Sequence, residues 1–490
     1  MEPTPPIEFG APLEALTERL ATGTQLSDEV VAELSSICRS SRDAQQLAEH
    51  ARDWWPLAMH WALAGQVPAF PAIVMHPTTT HEVARIAALC NEHRIPLTVS
   101  GGRSGVSGAA IPARGGVVLD TTSMRGVVDV DVTSGVVHVR PGTFGPDLEA
   151  EIASHDLSVG HFPQSFELST VGGWIAARGA GQFSTRYGKI DDMVVALEVV
   201  LADGRVIRTG GAPAGADGPD LVSLFVGSEG TLGIITDVWL RAHPRATTST
   251  MAAYSLATMS EGIELCRRIV RAGATPAVLR LYDATESKRS HGGDGSRCTL
   301  LVLDEGDDEL ARATMATVHR HALVLGARVE DTALVEHWLE HRNDTSGLQA
   351  VTRKGYVVDT MEVAGPWSAL PGVYERVCAE MSRVPGARSV SAHLSHSYLD
   401  GACLYFTFAG DKVDKPETLY RELWDAGQRA ALDAGANLSH HHGVGLNRSR
   451  FMSDALGPAF DVLKSIKTAL DPNGILNPGK LGMTESEVWP

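Results

Sequence analysis

Three consecutive histidines, His440, His441 and His442, stand in the stretch LSHHHGVG and are followed closely by two glycines. Histidine is the commonest metal ligand and also a proton-transfer group near neutral pH. A metal site needs several ligands in a defined geometry, which adjacent residues rarely give, because neighbours in an extended segment alternate faces. The glycines favour close approach of the backbone to a ligand. The stretch alone therefore disfavours a metal site, and it leaves open a solvated surface patch or a site built around another ligand.

Two further residues, Tyr405 in GACLYFTF and Arg280 in VLRLYD, have side chains that can transfer a proton or hold an anion. A free phenol has a pKa of about 10, so proton transfer near neutrality requires neighbours that lower it, such as a protonated histidine. The alternative for Tyr405 is an aromatic strand residue beside Phe406 and Phe408. For Arg280 the alternative is an ion pair with Asp283. The residues alone leave these alternatives open.

Four segments combine glycine with serine or threonine beside apolar strands: VSGGRSGVSG (99–108), PQSFELSTVGG (163–173), ARGAGQ (177–182) and GSEGTLG (227–233). Closely spaced glycines let backbone N–H groups approach an anion, and hydroxyl groups add donors. One such loop is usually a tight turn, but four close together predict a long ligand with phosphates. None matches GxxxxGK[ST], and GGRSG is not a GxGxxG that opens a helix. The remaining interpretation is a dinucleotide held outside a Rossmann fold.

The segments around these residues alternate between apolar strands and amphipathic helices. Residues 1–65 predict short helices, the region up to residue 245 is rich in strands, and a mixed region follows. Asp203-Gly204 separates two apolar runs and predicts a hairpin. A helix, LYRELWDAGQRAALDAG, leads into the histidine triplet. The sequence therefore predicts an α+β fold.

Composition excludes several classes of partner. The 490 residues carry a formal net charge of −17, which argues against nucleic acid and against an anionic membrane surface. The six cysteines lie far apart without a CxxC pair, as expected for reduced thiols. Neither a signal peptide nor an apolar run of about 18 residues is visible. We therefore expect a cytoplasmic protein of more than one domain, with a small-molecule partner and no transmembrane segment.

The four loops, in this order, resemble the FAD-binding domain of the vanillyl-alcohol-oxidase, or PCMH-type, flavoproteins, and DPNGILNPGKL (471–481) resembles their closing segment. Within that family the chain is most similar to the alkyldihydroxyacetonephosphate synthases, through STVGGW, YGKIDDMVV, PAVLRLYD, DGACLYF and LSHHHGVG. The resemblance implies a bipartite FAD-binding domain of two α+β subdomains, an α+β cap over the isoalloxazine, and a C-terminal segment that returns to the flavin. The implied parts are an N-terminal helical segment at 1–65, the FAD-binding domain at 66–245, the cap at 246–430 and the C-terminal FAD-linked segment at 431–490.

The resemblance also implies roles for individual residues. The expected cofactor-binding residues are Ser100, Gly101, Gly102, Arg103, Ser104, Gln164, Ser165, Ser169, Thr170, Gly173, Ala177, Arg178, Gly179, Ala180, Glu229, Gly230, Thr231, Gly233 and Ile235. The expected catalytic residues are Tyr405 as acid/base, Arg280, and His440, His441 and His442 beside the flavin. Some relatives attach FAD through a histidine where this chain has Arg103, so we expect FAD to be bound non-covalently. No metal is expected.

One position departs from the synthase pattern. The synthases have an arginine that positions the substrate phosphate upstream of the pair that matches Pro366-Trp367. Counting without a gap places Leu348 there, flanked by Arg342 and Arg353. If neither arginine reaches the site, one charge-assisted contact of about 1.5–3 kcal/mol is lost. This departure puts ether-lipid synthesis in question.

Three functions follow from the resemblance. The first is synthase-like: adduct chemistry at flavin N5 exchanges an acyl for an alkyl group on a dihydroxyacetone-phosphate ester. The second is an FAD-linked dehydrogenase or oxidase of a small hydroxy acid or alcohol, in which a histidine or Tyr405 takes the hydroxyl proton. Hydroxy-acid relatives commonly have Glu-His where this chain has His-His, which counts against that subgroup. The third, a non-catalytic flavin-binding protein, is disfavoured by the acid/base residues. The substrate is then a small or lipid-like molecule, and a homodimer is compatible with the sequence.

Overall fold

The computed structural model describes residues 8–20, 24–344 and 346–483, without the side chains of Ser346 and Leu348. The chain mixes helices with sheets, and the predicted α+β class is confirmed. The α-helices are Asp28–Ser35, Ala44–His50, Pro56–Leu63, Thr80–Glu92, Gly145–Ile152, Val171–Ala176, Ser184–Tyr187, Ile190–Met193, Leu221–Phe225, Met259–Arg271, Ala284–His291, Asp308–Val324, Ala333–His341, Ser346–Arg353, Leu370–Ser382, Pro416–Asp433, Met452–Leu456 and Ala459–Leu470.

The sheet that carries the first glycine loop has four strands. Their order is Arg39–Ser41, Ile73–His76, Val117–Asp120 and Leu97–Ser100. The last three are parallel and almost wholly buried, as expected for continuous apolar runs. The strand Leu97–Ser100 runs directly into the loop that starts at Gly101.

A second sheet is antiparallel, and its strand Ile234–Arg241 directly follows the loop GSEGTLG. The order of its strands is Val206–Gly210, Val194–Val200, Ile234–Arg241, Val136–Val139 and Val127–Asp131. The predicted hairpin at Asp203-Gly204 is confirmed, because Val200 pairs with Val206 and Gly204 adopts a φ of 85°.

The largest sheet has seven antiparallel strands. Their order is Arg328–Glu330, Thr248–Leu256, Cys298–Gly306, Val278–Tyr282, Ala387–Ser397, Gly401–Lys412 and Tyr356–Pro366. One face packs on the helices Met259–Arg271, Leu370–Ser382 and Pro416–Asp433 in a large apolar core. The middle of the other face turns toward the glycine loops. Two short pairs complete the strands: Thr17–Glu18 with Gln66–Val67, and Leu157–Ser158 with His243–Pro244.

The N-terminal segment joins both regions. Its strand Arg39–Ser41 belongs to the four-stranded sheet. The indole of Trp55 donates to the hydroxyl of Tyr420 at 2.8 Å, and that hydroxyl donates to the Asp359 carboxylate at 2.5 Å, inside the core of the seven-stranded sheet. The segment therefore fixes the large sheet against the smaller ones.

Candidate active site

A cavity of about 660 Å³ lies between the glycine loops and the seven-stranded sheet. This volume is typical of sites that enclose a small-molecule ligand. Every predicted cofactor-binding residue lines the cavity except Ser100, Arg178 and Thr231. The predicted catalytic residues on its walls are Arg280, Tyr405, His441 and His442.

Local contacts explain the three exceptions. The hydroxyl of Thr231 donates at 2.6 Å to a backbone carbonyl of its own turn. The guanidinium of Arg178 donates to two backbone carbonyls at the helix Leu221–Phe225. The hydroxyl of Ser100, at the end of its strand, accepts from Arg103 at 3.5 Å. These side chains support the loops and do not line the cavity.

The cavity wall on the side of the two smaller sheets is lined mostly by glycine, alanine, serine and threonine residues. Three loop residues with side chains, Arg103, Arg178 and Glu229, adopt left-handed φ angles of 54°, 53° and 51°. Such angles are uncommon for residues with a Cβ and cluster at ligand clamps. A Cβ at Gly102 would lie 2.1 Å from the Leu168 carbonyl oxygen, so the first two loops meet too closely for any side chain there.

Two side chains on this wall have buried nitrogen atoms without a hydrogen-bond partner in the described part of the chain: both ring nitrogens of His161, and Nε of Arg103. Burial, helped by the charge of Lys189, lowers the pKa of His161 to about 3. Buried polar groups are nearly always hydrogen-bonded. These atoms fit a polar ligand, and together with the glycine loops they fit FAD.

The opposite wall is the cavity-facing side of the seven-stranded sheet. Because side chains alternate between faces, every second residue of each strand points to the cavity. The register pairs Tyr282 with His393, His393 with Tyr405, and Tyr405 with Glu362. Strand register thus places four titratable side chains in one row, although they come from distant parts of the sequence.

Arg280 is held by this row. Its Nη2 donates to Nε2 of His393 at 2.6 Å, and its Nε donates to the hydroxyl of Tyr282 at 2.7 Å. An accepting Nε2 means that the His393 proton is on Nδ1, which lies 3.3 Å from Glu286. Burial and the charge of Arg280 lower the pKa of His393 to about 4. The considered ion pair with Asp283 is not formed, since that carboxylate caps the helix Ala284–His291.

Tyr405 lies among histidine rings on this wall. Its ring stacks on His393 at 4.8 Å and on His441 at 5.9 Å, and its hydroxyl donates to Thr360 Oγ1 at 3.0 Å. Burial raises the pKa of Tyr405, and the charge of Glu362 adds to the shift. The phenol therefore keeps its proton at neutral pH, which suits a hydrogen-bond donor better than a proton acceptor.

The buried carboxylate of Glu362 organises the histidine triplet. Its Oε1 accepts from the backbone N–H groups of His440, His441 and His442 at 3.1, 3.1 and 2.9 Å, and its Oε2 lies 3.0 Å from Nδ1 of His442. Burial by itself raises the pKa of Glu362, but the charges of Arg448 and His442 lower it well below its usual value. This contact is not aligned as a hydrogen bond, but a carboxylate at 3.0 Å still favours a proton on Nδ1 of His442 and so leaves Nε2 as the ring acceptor.

A second buried carboxylate, Glu229, holds the rest of this loop. It accepts from the backbone N–H groups of Val444 at 2.6 Å and Gly445 at 2.9 Å. A Cβ at Gly443 would lie 2.3 Å from Glu229 Oε1, and one at Gly445 would lie 2.0 Å from the Ser107 carbonyl oxygen. The glycines after the triplet thus permit close approach to the protein itself, and not to a ligand as we expected.

His440 does not line the cavity. This agrees with the expectation that the three histidine side chains cannot all face the same side. Its Nε2 lies 2.7 Å from the hydroxyl of Tyr398, and its Nδ1 lies 2.8 Å from Nδ1 of His441. Ligand atoms of His396, His440 and His441 lie within 4.8 Å of one another. Hydrogen bonds already occupy both His440 nitrogens and Nδ1 of His396, which faces Ser184 at 2.6 Å.

Known proteins match the chain over most of its length. The family of FAD binding domains matches residues 71–210, and the C-terminal domain of FAD linked oxidases matches residues 245–481. An uncharacterized FAD-linked oxidoreductase of Escherichia coli (strain K12), YgcU, is 32% identical over 430 residues, which are 84% of this chain and 89% of that protein. The chain belongs to the PCMH-type FAD-linked oxidoreductases.

Two other similar proteins of this family differ in what their names say. Glycolate oxidase subunit GlcD of Bacillus subtilis (strain 168) is 28% identical over 85% of this chain and 90% of its own length. The solved structure of an alkyldihydroxyacetonephosphate synthase superposes with a TM-score of 0.80 at 23% identity, covering 96% of this chain and 88% of that one. The fold and FAD as cofactor are thus confirmed. Among the described residues, no helix is long and apolar enough to cross a bilayer.

Sequence reasoning did not select several residues of this PCMH-type site. Glu362, His393 and His396 were not predicted, yet they hold or contact the predicted side chains. The only signals were two acids, Asp359 and Glu362, inside the apolar strand Tyr356–Pro366 and two histidines at the end of Ala387–Ser397. The strand order and the register of the seven-stranded sheet must be known before Glu362, His393 and His396 can be placed near Tyr405.

Proposed function

We propose that this protein is an FAD-linked oxidoreductase that oxidises a small anionic hydroxy compound. Although the chain has His-His where hydroxy-acid relatives commonly have Glu-His, the two arginines of the cavity make 2-hydroxy acids the first class to test. The observation that carries the proposal is the composition of the cavity wall on the seven-stranded sheet and its flanking helices. That wall has two arginines and no aliphatic side chain among the described lining residues from 246 to 442. Each buried CH₂ of a lipid chain contributes about 0.8 kcal/mol only against an apolar wall, so this surface suits a polar substrate.

The two arginines, Arg280 and Arg342, are placed to bind the anionic group. Both guanidinium groups lie within about 6 Å of the Trp338 ring, at 5.6 and 6.0 Å. Neither has a carboxylate ion pair in the described ranges. Arg342 also donates to Gln182 at 2.8 Å and lies over the rings of Phe162 and Phe183. Burial lowers the pKa of Arg342, and the charge of Arg280 lowers it further. A carboxylate or phosphate between the arginines would relieve this repulsion.

The role of Arg342 also bears on the position that departs from the synthase pattern. The side chain of Leu348 lies outside the described residues, but Arg342 lines the cavity. Arg353 is exposed and pairs with Glu8 at 3.0 Å. Of the two arginines that flank position 348 in sequence, Arg342 is therefore our choice for the anion contact.

We assign the proton acceptor to His442. A substrate hydroxyl must lose its proton as the carbon is oxidised, and a histidine oriented by a carboxylate is suited to take it. Glu362 fixes the tautomer of His442 and stabilises the imidazolium that results. The phenol of Tyr405, which keeps its proton, donates to the substrate oxygen and helps to orient it.

When bound, FAD supplies the two-electron acceptor for the hydride that leaves the substrate carbon. The glycine loops would hold its phosphates, and His161 would contact it from the same wall. Arg103 stands where a covalent histidine stands in some relatives, so we propose that FAD dissociates. Acid precipitation should leave the yellow colour in the supernatant, and a yellow pellet would contradict this.

The test is anaerobic mixing of the holoenzyme with both enantiomers of small 2-hydroxy acids and with neutral diols of the same size. The name of glycolate oxidase subunit GlcD makes glycolate the first compound, with ethylene glycol as its neutral control. We expect loss of the oxidised flavin spectrum with one or more anionic compounds and none with the diols.

The alternative outcome belongs to the synthase-like function. It would be supported by exchange of the acyl group of an acyl-dihydroxyacetone phosphate for a fatty alcohol, without net flavin reduction. That result, or reduction by long-chain alcohols in preference to hydroxy acids, would overturn the proposal.

A further inference from the structure

A cluster of three potential metal ligands lies on the helix Ala333–His341, apart from the histidine triplet. His337, Glu340 and His341 are exposed, and their ligand atoms all lie within 4.8 Å of one another. Residues four apart on a helix lie on the same face, one turn above the other, so the two imidazoles are neighbours by construction. Their ring centroids are 4.3 Å apart.

The orientation of His341 is the second observation. Its Nδ1 lies 2.9 Å from the backbone carbonyl oxygen of His337, so Nδ1 carries the proton and donates. Histidines that bind metals almost always donate their other ring N–H to a carbonyl or carboxylate in this way, which fixes the tautomer. Nε2 of His341 is therefore left as a lone-pair donor.

The other two ligand groups are also unengaged. In the described ranges, Glu340 has no ion pair, and His337 has no side-chain hydrogen bond; its backbone carbonyl accepts from His341. This differs from the buried group of His396, His440 and His441, whose nitrogens are largely occupied by hydrogen bonds. Two imidazole nitrogens and one carboxylate oxygen form a ligand set that suits cations of intermediate softness, such as Zn²⁺.

The cluster lies beside the cavity, so a bound cation could contact a molecule that enters it. His337 and His341 both line the mouth of the cavity, on the helix that also carries Trp338 and precedes Arg342. Sites with three protein ligands keep a coordination position for water or for an oxygen of a bound molecule. A cation here would present that position to the cavity entrance.

We propose that His337, Glu340 and His341 form a site for a divalent first-row transition metal of the Zn²⁺ type, with one position open toward the cavity. The site is independent of the redox function proposed above, because it is formed by the helix alone. It does not involve the histidine triplet, for which we expect no metal.

The experiment is calorimetric titration of chelator-treated holoenzyme with Zn²⁺, repeated with Co²⁺ to read the coordination from its visible spectrum. Wild-type protein should bind one equivalent with a Kd below about 1 mM. His341→Ala and Glu340→Gln should each weaken binding by about 10–100-fold or more. His81→Ala removes an exposed helical histidine elsewhere and should change nothing. His396→Ala tests the buried group.

Each outcome decides the proposal. Loss of binding in the His341 and Glu340 variants, with binding retained in His81→Ala and His396→Ala, supports it. No saturable binding in wild type overturns it, and so does binding that survives His341→Ala. Loss only in His396→Ala would move the metal to the buried histidines. None of these readouts depends on a substrate, so failure of the proposed oxidoreductase function leaves the result intact.

Discussion

One wall of the cavity is lined mostly by small residues of the glycine loops, whereas the opposite wall is lined mostly by polar and titratable side chains of a sheet and its flanking helices. On the first wall, close contacts such as that of Gly102 with the Leu168 carbonyl exclude side chains. On the second, strand register brings His393, Tyr405 and Glu362 together. A wall of small residues leaves room for a cofactor that the whole family shares. Substitutions in a wall of larger side chains can instead change which substrate is bound.

This difference predicts that variants of the two walls fail in different ways. A variant of the sheet wall should keep FAD and lose turnover or specificity, because its side chains make the contacts to the reacting molecule. A variant of the loop wall should bind less FAD or be less stable. Those molecules of the variant that still hold FAD should have a normal kcat.

His442→Gln should lower kcat by about 10²–10⁴-fold, the usual contribution of one positioned acid/base group. Glutamine keeps a polar side chain beside Glu362 but cannot accept the proton. Steady-state rates with a substrate found by flavin reduction give the result, and the flavin absorbance per protein should equal that of wild type. A variant within threefold of wild type would remove His442 from the proton-transfer role.

Tyr405→Phe should lower kcat by about 10²–10³-fold, as expected for loss of one donor to a developing charge. The ring and its stacking on His393 remain, so the protein should fold and bind FAD as before. Thr360→Val, which removes the partner of the phenol, is the matched control and should have a smaller effect. Equal activity of Tyr405→Phe and wild type would make Tyr405 a structural aromatic residue.

The sequence alone predicted the elements that depend on local pattern. The α+β class, the hairpin at Asp203-Gly204 and most of the loop wall follow from glycine spacing and apolar periodicity, which act over a few residues. Thr231 and Arg178 were predicted as cofactor-binding residues, but their side chains contact backbone carbonyls and do not line the cavity, because composition locates a loop but not the direction of each side chain. That direction is fixed by φ angles and by contacts with other loops.

The sheet wall depends on information that is not local. Glu362 reaches His442 because Tyr356–Pro366 lies beside Gly401–Lys412 in one particular register. A one-residue slip would turn the carboxylate to the opposite face. For the same reason the sequence could suggest Tyr405 as a catalytic residue but not that burial raises its pKa.

Arg280→Met and Arg342→Met should each lower kcat/KM for an anionic substrate by about 10–150-fold, since a charge-assisted hydrogen bond contributes about 1.5–3 kcal/mol. Methionine keeps much of the side-chain volume. The readout is the ratio of kcat/KM for the anion to that for a neutral analogue, which should fall only for these variants. Arg353→Met, at an exposed arginine, is the control. An unchanged ratio would exclude these arginines as the anion site.

Gly102→Ala tests the loop wall. The added Cβ would lie 2.1 Å from a backbone oxygen, and overpacking of this kind costs about 1–3 kcal/mol. We expect less FAD per protein and a lower Tm, with normal kcat per bound FAD. Gly372→Ala, in the helix Leu370–Ser382 with no atom within 4 Å of the new Cβ, should be neutral or stabilising. Full FAD content and an unchanged Tm in Gly102→Ala would contradict the packing argument.

The smallest effect concerns the pH dependence of stability. His393 is buried, faces Arg280 and Glu286, and has its pKa lowered to about 4 by burial and by the Arg280 charge. In the unfolded chain its pKa is about 6.5, so between those values the unfolded state binds the extra proton. Stability therefore falls as pH drops below about 6.5, and at pH of about 5.5 the loss from this group is about 1.4 kcal/mol.

His393→Gln removes that titration, so the decrease in Tm from neutral to mildly acidic pH should be smaller in the variant than in wild type. The comparison of two slopes is needed because other buried histidines, such as His161 and His291, keep their own low pKa values. His81→Gln, on an exposed helix face, should leave the slope as it is. A variant slope equal to that of wild type would mean that the pKa of His393 is the same in the folded and the unfolded protein, which would contradict the effect of burial and of the Arg280 charge.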